Sequence, residues 1–397
     1  MNYSKKLAVT TLAALCLTGI ASSGLAAPQA AAAPKAAAAG APVVGLKTAG
    51  ETFKNVTTAT LKGLTVDDFL GAMGVMAGAL AWDCSNCHPG AGFDSVNWVA
   101  DTMPTKVIAR RMVDMVAAIN KTNFGGTQMI TCWTCHRGQE KPATELTLDH
   151  LYSSPNDEPE TVIQKNAQGL PPEQILDNYI TALGGAQKLA GLKSFIETGT
   201  QNGGYARVQG GRFQIFAKFP DQRTVLTTFP QNPDRGDQTR SYDGKIGWIN
   251  TPRSVLGEYE VTGTELDGER LEAQLAFPGQ IKQVLTNLRT GYDDTINGHG
   301  VNIIQGTGPR GLLATLFFDK DTHLLRRLIR YGKSPVGRIS TQVDYDDYRD
   351  VGGIKFPYTF TFSWLDGRDG FTITDVKVNV PIDAQVFGRP KNAKREN

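Results

Sequence analysis

Cys84-Ser85-Asn86-Cys87-His88 is matched in spacing by Cys132-Trp133-Thr134-Cys135-His136. Each is a C-x-x-C-H pentapeptide, the attachment signature of c-type haem. On one helical turn the two cysteines lie on one face, where both sulfurs reach the vinyl groups of a single porphyrin. The histidine after the second cysteine falls on the same face and can turn an imidazole nitrogen to the iron. Two covalently attached haem c groups are therefore expected. Cys84, Cys87, Cys132 and Cys135 would bind them, with His88 and His136 as proximal ligands. A single C-x-x-C also suits half a zinc site or a redox dithiol, and two pairs a four-cysteine zinc ribbon. A histidine in the same place in both copies favours haem.

Working outward, each pentapeptide is preceded by an expected helix that carries methionine. Thr65 to Trp82 has Thr65 as N-cap, Asp67 and Asp68 in the first turn, and Phe69, Met73, Met76 and Leu80 at helical spacing. Gly71, Gly74 and Gly78 interrupt it at about 1 kcal/mol each relative to Ala. Such a stripe implies that something flat or bulky, such as a porphyrin face, approaches the backbone. Pro104 to Asn120 is the second helix, with Ile108, Met112, Met115 and Ile119 on one face and Gly125-Gly126 beyond its end. The sixth ligand decides between a closed, electron-carrying iron and an open, reactive one. Met73 and Met112 are the best-placed candidates, although a place in the helix core is the commoner fate of methionine stripes. Of the histidines outside the pentapeptides, His150 follows the second one closely, whereas His299 and His323 fall in a region of strands.

The N-terminus reads as a signal segment: Lys5 and Lys6, an apolar run from Leu7 to Ile20, and small residues up to Ala27. A retained anchor is the alternative. Cys16 follows Leu15, which is too large for lipoprotein processing. Once the signal is removed, every remaining cysteine belongs to a pentapeptide. Export agrees with haem attachment, which in bacteria takes place outside the cytoplasmic membrane. The next stretch, to Pro42, is almost wholly Ala and Pro and reads as a tether.

Beyond Arg137 the chain is polar and proline-rich up to Pro172. An amphipathic helix is expected over Glu173 to Leu183, stopped by Gly184-Gly185. From Ser194 the period changes to two. Arg212 to Phe219, Arg223 to Phe229, Val301 to Gly306, Leu312 to Phe318, Ile339 to Tyr345 and Phe356 to Phe362 read as strands. Turn signals such as Asp243-Gly244, Asn297-Gly298, Gly352-Gly353 and Asp366-Gly367 separate them, and a helix near Glu265 to Ala276 breaks the series.

The expected class is thus α+β and multidomain: a mostly helical dihaem cytochrome c domain followed by a curved antiparallel β-sheet domain, a half-barrel. The expected divisions are a signal peptide over 1–27, a linker over 28–49, the dihaem domain over 50–142, a second linker over 143–171, the sheet domain with its helices over 172–388, and a tail over 389–397. At 397 residues the chain can bury more than one core. Its 41 Lys and Arg against 39 Asp and Glu leave a net charge of +2, which argues for no nucleic-acid partner.

The run Val107-Ile108-Ala109-Arg110-Arg111-Met112-Val113-Asp114-Met115, with Ala118-Ile119-Asn120 and Thr131 to Gly138 around the second pentapeptide, closely resembles the tetrahaem cytochrome c subunit of photosynthetic reaction centres, in one dihaem half. The resemblance covers about residues 50–142. It implies an axial methionine on the helix before each pentapeptide, hence Met73 and His88 on the first iron and Met112 and His136 on the second. The family carries four haems and this chain has two pentapeptides. The family's distant histidine ligand also has no counterpart between Thr122 and Ile130. The C-terminal region looks similar to the half-barrels of periplasmic lipoprotein carriers.

The function expected is that of an exported dihaem cytochrome carrying single electrons between redox partner proteins, with a membrane-associated complex among the candidates and no catalytic residue. Two alternatives belong to other classes. One is a peroxidase-like haem enzyme with an open iron. The other is a module for lipid or another apolar ligand with haem redox sensing, for which Phe213, Phe216, Phe219 and Trp248 could line a cavity.

Overall fold

Alternation of apolar and polar residues sets the sheet. In the strand Gly211–Lys218, Phe213, Ile215 and Ala217 are buried while Arg212 and Gln214 are exposed, the two-residue period of a strand with one face on a core. The computed structural model describes residues 47–92, 96–142, 163–203, 210–252, 256–365 and 367–390. The expected signal peptide, most of both linkers with His150, Asp366 of one turn signal, and most of the C-terminal tail lie outside the described residues.

The helices come first: α1 (Ala49–Thr52), α2 (Ala59–Lys62), α3 (Val66–Leu80), α4 (Pro104–Phe124), α5 (Cys132–His136), α6 (Pro172–Ala182) and α7 (Ala186–Gly191). The strands then follow: β1 (Ser194–Gly203), β2 (Gly211–Lys218), β3 (Gln222–Thr228), β4 (Gln238–Tyr242), β5 (Gly247–Asn250) and β6 (Glu258–Val261). Helices α8 (Gly263–Leu275) and α9 (Ile281–Val284) interrupt the series. It resumes with β7 (Thr286–Thr290), β8 (Asp294–Ile296), β9 (His299–Thr307), β10 (Leu313–Asp319), β11 (Leu325–Ser334), β12 (Gly337–Val351), β13 (Ile354–Trp364) and β14 (Gly367–Val378). All pair antiparallel in the order β6-β5-β4-β3-β2-β1-β14-β13-β12-β11-β10-β9-β7, with β8 beside β9. The first and last strands pair with each other, Gln201 opposite Phe371. The two edges, β6 and β7, do not meet, so the sheet is open.

Helices cover one face of it. Leu176, Tyr179 and Leu183 near α6, Leu271 of α8, and Ile281 and Leu285 around α9 join Phe195, Phe213, Leu316, Phe318 and Phe356 in one core. Tyr179 packs against Phe318 with ring centroids 5.0 Å apart. Gly184 ends the first of these helices, at φ +127, where a Cβ would meet the Gly353 carbonyl oxygen at 2.1 Å. Only glycine allows that approach. Beside this core lies a knot of charge: Arg330 is 2 % exposed and donates to Glu265 at 2.8 and 3.0 Å and to Glu272 at 3.1 Å. Arg240 bonds Glu265 and Glu269, and Arg223 reaches Glu272 at 3.4 Å.

The expected helix from Thr65 forms as α3. Thr65 caps it by accepting from the Asp68 amide at 3.2 Å. It stops at Leu80 rather than Trp82 because Ala81 turns left-handed, at φ 52. Helix α4 runs a turn beyond Asn120, to Phe124, and ends on Gly125 at φ 60. Asn120 is compatible with a helix interior because its side chain serves the following loop. Its Nδ2 donates to the Ile130 carbonyl at 2.8 Å, and its Oδ1 accepts from the Met129 and Ile130 amides at 3.0 and 2.9 Å.

The glycine stripe of α3 meets the sheet rather than an open porphyrin seat. A Cβ at Gly71 would stand 2.3 Å from Ile339 Cδ1, one at Gly74 3.5 Å from Leu365 Cβ, and one at Gly78 3.2 Å from the Leu365 carbonyl oxygen. The small residues let the helix axis approach β12 and the end of β13. Gly71→Ala is expected to destabilise the protein by about 1–2 kcal/mol through overpacking. In an Ile339→Ala background the same change should instead stabilise by about 1 kcal/mol from helix propensity. Urea unfolding of the four proteins checks this, and additive effects would disprove the contact.

Candidate haem-binding site

The first pentapeptide forms a tight 3-10 turn over Cys84–Asn86, held by local chemistry. Asp83 Oδ1 accepts from the Ser85 amide at 2.8 Å, and Asn86 Oδ1 from the Asp83 amide at 3.0 Å. The Cys84 carbonyl takes the amides of both Cys87 and His88. That turn gathers two thiols and an imidazole in sequence. The His88 ring lies against Trp98, centroids 5.1 Å apart at 60°. Burial pushes its pKa below the ordinary histidine value, and Lys106 and Arg110 push the same way. The neutral imidazole that results is the state an iron ligand needs. His88 Nδ1 is buried without a formed hydrogen bond, although the Trp98 backbone lies where it favours the ring proton.

A clamp absent from the sequence reading fixes Trp98. Lys106 Nζ donates to the carbonyls of Trp98 and Ala100 at 2.9 and 2.8 Å and pairs with Asp101 at 3.3 Å. Arg110, one turn further along α4, bonds Asp101 at 2.9 Å and the Asn55 carbonyl at 3.1 Å. The signal available was the i, i+4 placement of two cations on one helix. Their acceptors could not be read from local sequence.

The second pentapeptide is helix α5. Thr131 and Thr134 cap it reciprocally, and Arg137 ends it at φ 50. His136 Nδ1 lies 3.0 Å from the Gln139 carbonyl. As a donor there, it leaves Nε2 as the free ligand nitrogen. The Cys132 amide donates to the Val336 carbonyl at 3.1 Å and the Gly138 amide to Ala79 at 2.9 Å. The turn is therefore tied to the β11–β12 connection and to the end of α3. Cys132 is buried, which raises its thiol to about 11, whereas Cys135 is exposed.

Met73, Cys84, Cys87 and His88 line one cavity of about 960 Å³, together with Phe69 and Trp98. Two thiols, a thioether and a neutral imidazole in an apolar pocket suit a covalent haem well. The cavity continues past α3 onto the inner face of the sheet, to Arg240, Tyr259, Phe360 and Phe371. Cys132, Cys135, His136 and Met112 do not line it. Met112 is half-buried on α4 between the exposed Ile108 and Met115, so the apolar stripe expected on that helix lies open beside α5. An uncovered stripe next to an attachment turn can seat a second flat apolar group. Among the described residues no three His, Cys, Asp or Glu side chains converge as ligands of one ion, so the two C-x-x-C pairs do not form a four-cysteine zinc centre. His299 bonds Arg326 at 3.2 Å within the sheet. Phe216 lies half-buried on the face opposite Phe213, Phe219 is 43 % exposed, and Arg389 stacks on Trp248.

Residues 17–175 match the family model of the photosynthetic reaction centre cytochrome C subunit. The cytochrome c subunit of Thermochromatium tepidum is 36 % identical over 110 residues, 25 % of this chain and 24 % of that one. Its counterpart from Roseobacter denitrificans is 35 % identical over 106 residues, 25 % of this chain and 28 % of that one. The chain thus spans about a quarter of the length of the curated relatives it matches. Among solved structures, a LolA superfamily protein of Nitrosomonas europaea is similar at 13 % identity and a TM-score of 0.39, covering 56 % of this chain and 99 % of that one. An outer membrane lipoprotein-sorting protein domain of Vibrio parahaemolyticus gives 12 % and 0.37, covering 54 % and 94 %.

The cavity also holds a titrating group. Asp67 accepts from the Thr262 amide at 2.7 Å and its hydroxyl at 3.1 Å. Burial raises its pKa from 3.8 to about 6, against the lowering effect of those bonds. Between these values the native state binds the proton more tightly than the unfolded chain, so this residue's contribution to stability falls as pH rises from about 4 to about 6. Asp67→Asn keeps an acceptor and removes the charge. Its stability relative to the unmodified protein should therefore be higher at pH 7 than at pH 4, as read from urea midpoints. An equal difference at both values would show that Asp67 is not held protonated. The N-terminal part of the chain resembles the reaction-centre cytochrome c subunit.

Proposed function

We propose that the chain is an exported dihaem c-type cytochrome that carries single electrons between redox partner proteins. The observation that supports this most is the gathering of Met73, Cys84, Cys87 and His88 around one apolar cavity, in a segment similar to reaction-centre cytochrome subunits. When bound, haem supplies one-electron chemistry at its iron. Cys84 and Cys87 would hold the first haem, and His88 and Met73 would bind its iron. Cys132 and Cys135 would hold the second, with His136 and Met112.

If His88 with Met73 and His136 with Met112 hold the two irons, neither would be left open to substrate, which favours a carrier over an oxygen- or peroxide-using enzyme. Thioether sulfur also favours the reduced iron and raises the potential. Trp98, held by Lys106, would keep His88 in place, and the Gln139 carbonyl would orient His136. In this reading residues 50–142 form the dihaem unit and 172–388 the sheet unit, outside the cytoplasm. The partners are redox proteins, with a membrane-associated complex among them. A photosynthetic reaction centre is the partner the N-terminal similarity suggests.

Pyridine haemochrome should count two haems per chain. The double changes Cys84→Ser with Cys87→Ser, and Cys132→Ser with Cys135→Ser, should each leave one. Met73→Ala and Met112→Ala should each abolish the weak sulfur-to-iron absorption of one haem and turn it high-spin. One haem or none in the unmodified protein would defeat the proposal. Spectra unmoved by both methionine changes would defeat the ligand assignment.

A further inference from the structure

At the sheet end of the cavity lies a buried acceptor that no described residue serves. Gln201 of β1 is 6 % exposed and lines the cavity. Its amide donates to Asp369, whose carboxyl burial pushes above the ordinary value against the lowering effect of that bond. Its Oε1 is buried with no hydrogen-bond partner among the described residues. A buried polar atom left unpaired is costly, so such atoms are rare without a bound molecule to complete them.

The surroundings specify what could complete it. Gln201 stands opposite Phe371 in the β1–β14 register, and Phe371 opposite Phe360 in the next pair. The Phe360 and Phe371 rings stack 4.5 Å apart at 7° and both line the cavity. Phe213 supports them edge-on from 6.0 and 5.2 Å. On the other side, Gln201 pairs with Gly211, where a Cβ would stand 3.2 Å from Oε1. Glycine at that position keeps the approach to the oxygen open. Val225 and Thr227 of β3 complete this part of the wall.

We propose that this end of the cavity binds a neutral hydroxylated aromatic ring, its face on the Phe360–Phe371 pair and its hydroxyl donating to Gln201 Oε1. The stacked phenylalanines offer a flat apolar contact to an aromatic face. The oxygen demands a donor, and an ionised carboxylate would bring none. The site is separate from the four residues assigned to the first haem, and it stands whether or not that assignment does.

The test uses full-length, haem-loaded protein and two probes that differ only by the hydroxyl, 2-naphthol and naphthalene, titrated by calorimetry. 2-Naphthol should bind about tenfold more tightly, the ratio that one satisfied acceptor provides. In Gln201→Met, which keeps length and loses the acceptor, the preference should vanish with naphthalene affinity and haem count unchanged. Equal affinity for both probes in the unmodified protein would mean that water already serves Oε1 and would overturn the proposal. So would binding of neither probe, or a preference that survives Gln201→Met. The comparison of probes needs no variant and is independent of whether the substituted chain folds.

Discussion

Everything in the helical part hangs on the seating of α3 against the sheet. One side of this helix carries Met73 and Phe69 onto the cavity that the first pentapeptide also lines. The other carries Gly71, Gly74 and Gly78 against Ile339 and Leu365. Its first turn is bonded through Asp67 to Thr262 and through Asp68 to Thr264. A helix fixed on both sides has little freedom to rotate. The position of the Met73 sulfur is therefore set by side chains of the sheet, more than two hundred and fifty residues further along the chain in the case of Ile339.

The sheet in turn stays firm beneath that helix by an expensive device. Arg223, Arg240 and Arg330 meet Glu265, Glu269 and Glu272 with little solvent. Burial alone would raise Glu272, but Arg330, Arg223 and Arg240 together hold it below the ordinary carboxylate value. Nearby Glu197, with only Arg223 opposing its burial, is raised to about 7. Breaking one member of such a set strands a charge, so the network resists rearrangement even where an apolar core would be more stable. It fixes α8 across β4 and β11, and α8 is preceded by the Thr262 that receives α3.

The two C-x-x-C-H pentapeptides were legible because one spacing occurs twice, and each folds as a tight helical turn, Cys84–Asn86 and Cys132–His136. The strands were legible because half-buried sheets alternate, as Phe213, Ile215 and Ala217 do. The glycines of α3 correctly announced a close approach, but the partner could not be named from sequence. Ile339 and Leu365 come near only through the pairing of β11, β12 and β13. The Lys106–Asp101–Arg110 clamp was missed for a similar reason: its acceptors are backbone carbonyls, which have no residue signature. Gln201 is more hidden still, since its unpaired oxygen depends on register with Gly211 and Phe371.

The burial of Cys132 imposes an order on biogenesis. Its thiol sits among Val75, Ala79, Val113 and Val336, and its amide is bonded to the β11–β12 connection. A cysteine enclosed there is out of reach of any external enzyme that would modify it. Both pentapeptides precede β1 in the chain, so Cys132 is synthesised before the strands that come to enclose it. Any covalent chemistry at this thiol therefore has to come before the later strands close over it. The C-terminal half thus acts as a seal on a reactive side chain of the N-terminal one.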